Sequence, residues 1–319
     1  MNPIYLTEAD VLATLTMRDA LRLLDEAARA LADGRAENRP RQRVNAGKTT
    51  LHVLPASFGG RVGHKTYTSA GPPRGARFWY TLYAATGEML ALIEADHLGR
   101  IRTGAASGLA TRALARPEAS TLAIIGTGSQ SPTQLEAVCG VRLIRRVLAY
   151  GRNRARLAEF CDTMTERLGM TVEAAASARE AVEPADVVCT MTTAREPVLE
   201  GAWLQPGAHV NAAGSNRAQA QEIDVNTVTR AGVVAVEDLA QAKVESGDLR
   251  AANESGRWSW QQTTRLADII GGLALGRTDA EQITLFESLG IGLWDIACAS
   301  FVYDEALASG RGTRLPYPA

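Results

Sequence analysis

Several features common in other chains are missing from this sequence, and each absence excludes something. Charge of either sign is not in excess: the formal net charge is −1 over 319 residues, so no global field draws the chain to nucleic acid or to an anionic membrane. Partners are expected instead among small molecules and further copies of the chain. Long hydrophobic runs are also absent. The longest, residues 266–275, is broken by Asp268 and paired glycines, far short of the roughly 20 residues that span a bilayer. Cysteine is scarce. The four present (Cys139, Cys161, Cys189, Cys298) show no CxxC spacing; they are expected to be reduced, and the three in apolar runs to be small core residues. No His, Cys and carboxylate cluster has metal-ligand spacing, and no metal is expected. Residues 1–10 carry neither a basic stretch nor an apolar core of a secretory signal, which places the expected site of action in the cytoplasm.

What is present is the balance of a globular protein, 46% hydrophobic and 22% charged, at a length that suggests two domains. Residues 16–34 predict a helix: Thr16 can cap it, Met17, Leu21, Leu24, Ala28 and Leu31 share one face, and Gly34 stops it. From Arg41 the period changes to two. Arg41, Arg43 and Asn45 lie along a strand that turns at residues 45–48 and returns through 51–54. Strands at 62–68, 78–84 and 89–94 follow, so residues 1 to about 100 read as a helix and antiparallel β structure. A helix rich in small residues is predicted from Thr103 to Ala115 and is broken at residues 116–118. Beyond it, apolar strands at 122–125, 147–150, 172–175, 187–190, 209–213 and 233–236 alternate with helical stretches. Apolar strands without polar alternation imply a parallel sheet covered on both faces. A last helix, 291–308, follows a strand-like run at 283–286.

The first of those apolar strands runs into Gly126-Thr127-Gly128-Ser129-Gln130-Ser131, with Pro132 opening the next helix. Gly126 permits a tight turn and Gly128 lets backbone approach a pyrophosphate, whose charge the helix N-terminus favours. Ser131 stands where this motif usually has glycine or alanine. The next strand ends at Arg152-Asn153-Arg154, with no Asp or Glu to hold an adenosine ribose. Two guanidiniums there suit a 2′-phosphate, so NADP(H) is preferred and NAD(H) remains possible.

The chain resembles the ornithine cyclodeaminase/μ-crystallin family over nearly its whole length. The residues that carry the likeness are Gly63-His-Lys65-Thr, Ile101-Arg102-Thr103-Gly, Gly126-Thr-Gly-Ser-Gln130, Asn211-Ala-Ala-Gly214-Ser-Asn216 and Glu287-Ser-Leu-Gly, continuing to Trp294-Asp295. The resemblance implies an α/β protein, a Rossmann-type doubly wound parallel sheet at residues 117–291. Added to it is an α+β substrate-binding and dimerisation domain, residues 1–116 completed by the C-terminal helix 292–319. It implies a homodimer acting on small α-imino or α-amino acids. It places Arg41 or Arg43, with Lys65, on the substrate carboxylate. Arg102 falls between substrate and cofactor, and Lys65, Arg102 and Asn216 are the candidate catalytic residues. The cofactor is expected against Thr103, Gly126, Thr127, Gly128, Ser129, Gln130, Arg152, Asn153, Arg154, Thr192 and Asn216.

In the cyclodeaminase branch the position of Asn216 carries a catalytic aspartate. An amide can orient a nitrogen but cannot take its proton, and cyclodeamination needs a base. Reduction of a C=N bond in a cyclic or linear α-imino acid is therefore the leading expectation. An ornithine cyclodeaminase-type lyase with bound NAD, an amino-acid dehydrogenase and a non-catalytic NADPH-binding protein stand as alternatives. His209, inside an apolar strand, reads as a satisfied core histidine. Trp294 and Asp295 read as core and N-terminal helix charge or as residues approaching the nicotinamide.

Overall fold

A computed structural model describes residues 2–70 and 76–316. The chain divides into two compact units, Met1–Arg102 with Ile291–Ala319, and Thr103–Gly290.

The first unit opens with β1 (Ile4–Leu6), α1 (Glu8–Thr14) and α2 (Met17–Ala32). Thr16 caps α2 as its spacing predicts, accepting from the Asp19 amide, and the helix buries Leu21, Leu24 and Ala28. Gly34, at φ +72°, ends it, in a conformation that costs glycine nothing. Next come β2 (Glu37–Asn38), β3 (Gln42–Ala46), β4 (Thr49–Phe58), β5 (Arg61–Ser69), β6 (Phe78–Ala84) and β7 (Met89–Glu94). Strands β3 to β7 pair antiparallel in succession. Gly59 and Gly60, both at positive φ, form the two-residue turn between β4 and β5, which matches the twist of the flanking strands.

Helix α3 (Asp96–Leu114) starts seven residues before the Thr103 that the sequence pattern suggests. The reason is a cap supplied from far away. Glu8 accepts from the Asp96 and His97 amides at 2.6 and 2.9 Å, satisfying first-turn donors and so letting the helix start earlier. The unit boundary falls inside α3, between Arg102 and Thr103.

The second unit holds β8 (Thr121–Ile125), α4 (Ser131–Val141), β9 (Arg146–Tyr150), α5 (Arg154–Leu168), β10 (Val172–Ala174), α6 (Ala178–Val182) and β11 (Val187–Thr190). It continues through β12 (His209–Ala212), α7 (Val225–Arg230), β13 (Ala231–Val236), α8 (Leu239–Glu245), α9 (Gly247–Glu254), β14 (Thr263–Arg265), α10 (Leu266–Ile270) and β15 (Ile283–Glu287). These eight strands form one sheet in the order β10-β9-β8-β11-β12-β15-β13-β14, and every pair is parallel. Strands β11, β12 and β15 are buried along their whole length, because hydrophobic clusters cover both faces. The chain runs outward from β8 to β9 and β10, then returns to β11 on the other side of β8. The ends of β8 and β11 therefore flank the switch point, where sheets of this kind bind ligands.

The chain closes with α11 (Gly292–Ser309) and β16 (Thr313–Arg314) in the first unit, where β16 pairs with β1. Helix α11 packs on β4, β5, β6 and α2 and buries Trp294, Asp295 and Cys298. Among the described residues no helix is long and apolar enough to cross a membrane.

Candidate functional site

In the first unit the alternation of β5 turns Gly63, Lys65 and Tyr67 to one face. Lys65 stands between Leu54 of β4 and Tyr80 of β6. A Cβ at Gly63 would lie 2.6 Å from the Thr81 carbonyl oxygen and 2.7 Å from Tyr80 Oη, so the ring of Tyr80 fills the space a side chain would need. Over this face α11 brings Asp295, fully buried. Lys65 Nζ donates to Asp295 Oδ1 at 2.8 Å, and Arg102 Nε of α3 donates to the same oxygen at 2.9 Å. Lys65 is only 2% exposed.

Arg41 precedes β3, is buried, and donates to Tyr67 Oη at 3.3 Å. Arg43 lies two residues further and donates through Nε to His52 Nδ1 at 3.3 Å. His52 stacks on Tyr67 with ring centroids 4.3 Å apart, and its Nε2 bonds Ser69 Oγ at 2.9 Å. Because Arg43 can only donate, that pairing makes Nδ1 the acceptor and Nε2 the donor.

Two cations thus share one carboxylate oxygen, and Arg41 acts electrostatically on Lys65. Desolvation lowers the Lys65 pKa, Arg102 and then Arg41 lower it further, and Asp295 opposes them, leaving it at about 7. Lys65 and Arg102 on Asp295, with the buried Arg41 acting on Lys65, carry surplus positive charge at neutral pH. In a low-dielectric setting that surplus is satisfied by an incoming anion, and a planar carboxylate suits forked donors.

The remaining candidates lie in the second unit, mostly at the C-terminal ends of its strands. Gly126, after β8, has φ +109°, and a Cβ there would fall 2.2 Å from the Met191 carbonyl oxygen. Only glycine fits. A Cβ at Gly128 would meet nothing within 4 Å, so the backbone is open there to close approach. Thr127 packs its hydroxyl against Gly151 at the end of β9, where a Cβ would lie 2.9 Å from Oγ1. Gln130 precedes α4 and makes no side-chain cap bond, and Pro132 sits in the first turn. The helix N-terminus is thus left without a side-chain acceptor and suits an anion. Ser131 is fully buried; its small side chain is accommodated between helix and sheet.

Arg152 and Asn153 are exposed beyond β9. Asn153 caps α5 by accepting from the Arg156 amide. Arg154 donates to the Ala175 and Ala176 carbonyls at 3.1 and 2.7 Å and lies over the Tyr150 ring. Thr192 follows β11, and Asn216 lies half-buried in the loop after β12. Thr103 offers its carbonyl to Gln134 at 3.4 Å. Asp224 caps α7 through the Thr227 amide and also accepts from the Gly201 amide, so its carboxylate is engaged there. His209 is fully buried between Thr284 and Asn211, and desolvation lowers its pKa to about 3. It is a core histidine.

Two residues outside the sequence-derived candidates matter for these loops. Glu222 accepts from the Thr192 and Gly214 amides, both at 2.6 Å, tying the loops after β11 and β12 together. Asp248 in turn accepts from the Glu222 and Ile223 amides. No local motif marks either acid; each is recognised only by what the fold brings to it.

The parallel sheet with its glycine turn at the switch point defines a Rossmann-type α/β protein. Residues 1–310 match the ornithine cyclodeaminase/mu-crystallin family model, and the chain belongs to that family. It is 40% identical over 233 residues to Delta(1)-pyrroline-2-carboxylate reductase of Bacillus cereus, covering 73% of this chain and 71% of that one. Among solved structures, Delta(1)-pyrroline-2-carboxylate reductase of Thermococcus litoralis in complex with NADH and L-proline superposes with a TM-score of 0.93. Identity is 31%, over 98% of this chain and 100% of that one. An archaeal alanine dehydrogenase dimer with bound NAD gives a TM-score of 0.94 at 31% identity over the full length of both chains.

Proposed function

We propose that this protein is a cytoplasmic, homodimeric, nicotinamide-dependent reductase of α-imino acids, with cyclic imines such as Δ1-pyrroline-2-carboxylate and piperideine-2-carboxylate as its substrate class. The observation that carries this reading is the buried pair of Lys65 and Arg102 on Asp295, with the buried Arg41 acting electrostatically on Lys65. It can hold one carboxylate by charge and by directed hydrogen bonds. Arg41, buried and acting electrostatically on Lys65, is the arginine that holds it. Arg43 is taken up by His52.

The residues after β8 fit a dinucleotide: Gly126 and Gly128 leave backbone room, and α4 presents its N-terminus. Thr127, Ser129, Gln130, Thr103, Thr192 and Asn216 complete the cofactor-binding set. Bound there, the reduced nicotinamide supplies the hydride that turns C=N into an amine. With an amide at Asn216, that loop offers hydrogen bonds without a base, which suits reduction over deamination. An iminium already carries the charge that reduction needs, so the chain's own part is position and electrostatics. NADP(H) is the preferred cofactor, with Arg152 as the guanidinium facing the 2′-phosphate, because no acid stands at residues 152–154. The relatives whose structures hold NADH or NAD make the second cofactor the natural comparison.

The test is loss of reduced-nicotinamide absorbance with pyrroline-2-carboxylate, piperideine-2-carboxylate, and pyruvate plus methylamine, each with NADPH and NADH. Turnover of at least one imine is expected. Ammonia release from ornithine without any imine turnover would sink the proposal. A second reading, amino-acid dehydrogenase, is favoured by the full-length similarity to archaeal alanine dehydrogenase. Faster turnover of pyruvate with free ammonia than of any preformed imine would select it.

A further inference from the structure

The cation cluster has its own counterion, and that counterion comes from the far end of the chain. Asp295 lies in the opening turn of α11 and is separated from Lys65 by 230 positions and from Arg102 by 193. A single oxygen, Oδ1, accepts from both cations, while Oδ2 is buried without a hydrogen-bond partner. The helix buries Trp294, Ile296 and Cys298 on either side with apolar or weakly polar surface, and an unpaired carboxylate in such surroundings is costly.

The basic composition adds a second point. Of 34 Lys and Arg residues only Lys48, Lys65 and Lys243 are lysines. Lys48 and Lys243 are exposed, so the only buried lysine is the one bonded to Asp295. Arginine keeps its charge when buried; lysine gives it up. Of these two adjacent cations, Lys65 is therefore the one whose charge depends on the anion fixed between them.

We propose that Asp295 is a positioning residue that holds the Lys65 and Arg102 donors together on one oxygen and favours the ammonium form of Lys65, so that the free protein presents them ready for the substrate carboxylate. The proposal rests on the imino-acid reading given above. It goes beyond that reading by making an acid, with no contact of its own to substrate, necessary for carboxylate binding. Around Lys65 stand Asp295 and Cys298 of α11, Arg102 of α3, Arg41 before β3 and Tyr80 of β6. Among these only Asp295 favours the ammonium form.

The experiment uses the full-length protein with lysine labelled with carbon-13 at Cε. Three resonances are expected, and the exposed Lys48 and Lys243 serve as internal references. In Asp295→Asn the Lys65 transition should fall by about one pH unit or more, the usual effect of losing an adjacent opposite charge. The KM for pyrroline-2-carboxylate should rise about tenfold or more, as when a charge-assisted bond is lost. At saturation kcat should stay within about threefold, and NADPH affinity should be unchanged. Asp295→Glu keeps the charge but moves the oxygen by one methylene. Its Lys65 transition should remain near that of the wild type while KM still rises. If Asp295→Asn fails to fold, the Glu variant decides: a kept transition with raised KM supports the proposal, and an unchanged KM overturns it. An unshifted Lys65 transition in a folded Asp295→Asn protein overturns it as well. Should the wild type reduce no imino acid, the functional reading fails by itself, and the lysine titration still judges Asp295.

Discussion

Replacing Lys65 by methionine separates what this lysine does for binding from what it costs the fold. Methionine keeps most of the length and volume and removes the charge. In the folded chain desolvation and the neighbouring guanidiniums hold the Lys65 pKa at about 7, against an ordinary 10.5. Below about 7 the folded and unfolded chains both carry the proton. Between about 7 and 10.5 only the unfolded chain does. The unfolded state then binds more protons, so wild-type stability rises with pH through this window. One proton gives a slope of at most about 1.4 kcal/mol per pH unit. Lys65→Met has no proton to lose and lacks that rise. Its stability relative to the wild type is therefore highest below about pH 7 and declines by up to about 1.4 kcal/mol for each unit above it. Urea unfolding of both proteins at a series of pH values from about 6 to about 9 reads this difference directly. In the same variant, carboxylate affinity should fall about 10–100-fold, the equivalent of about 1.5–3 kcal/mol for one charge-assisted bond. Stability curves that run parallel across the pH range would refute the reasoning, because they would mean that Lys65 titrates alike in both states.

Further outcomes follow from single contacts. Arg41→Ala should raise the KM for an imino acid about 10–100-fold, whereas Arg43→Ala, whose guanidinium donates to His52, should change it by a few-fold at most; steady-state kinetics on the two variants decides between the arginines. Arg152→Ala should reduce the preference for NADPH over NADH by about tenfold, read as a ratio of kcat/KM values. Arg154→Ala should act instead on stability, by about 1–2 kcal/mol, because its guanidinium bonds two carbonyls; thermal unfolding measures it. Gly126→Ala must accept both φ +109° and a Cβ 2.2 Å from a carbonyl oxygen. A loss of more than about 2 kcal/mol of stability is expected, together with weaker dinucleotide binding by titration calorimetry.

Much of this fold is legible in the sequence because the parallel sheet writes itself in apolar runs. Strands β8, β9, β11 and β12 are largely buried, so each appears as a short, mainly apolar block between helical stretches. The glycine turn is legible for a related reason: Gly126 answers a steric demand that no other residue meets. Long-range pairings leave no such trace. The start of α3 depends on Glu8, almost ninety positions away, and strands as short as β1 and β16 have no period to detect. The two arginines of the first hairpin illustrate the limit well. Alternation puts Arg41 and Arg43 on one side, and only the stacked His52 and Tyr67 send one toward Lys65 and hold the other. Asp295 could be read as helix-terminal charge, since its partners come from β5 and α3 and nothing near it in sequence names them.

The central claim is that the cations around Asp295 bind the carboxylate of an imino acid for reduction. It is tested most directly by comparing Δ1-pyrroline-2-carboxylate with 1-pyrroline, the same ring without the carboxylate, as substrates with NADPH. Rapid reduction of the first and a kcat/KM lower by at least about a hundredfold for the second, the scale of one or two charge-assisted bonds, is the predicted result. Equal reduction of both imines would contradict the claim, and would show that Arg41, Lys65 and Arg102 serve something other than the substrate's carboxylate.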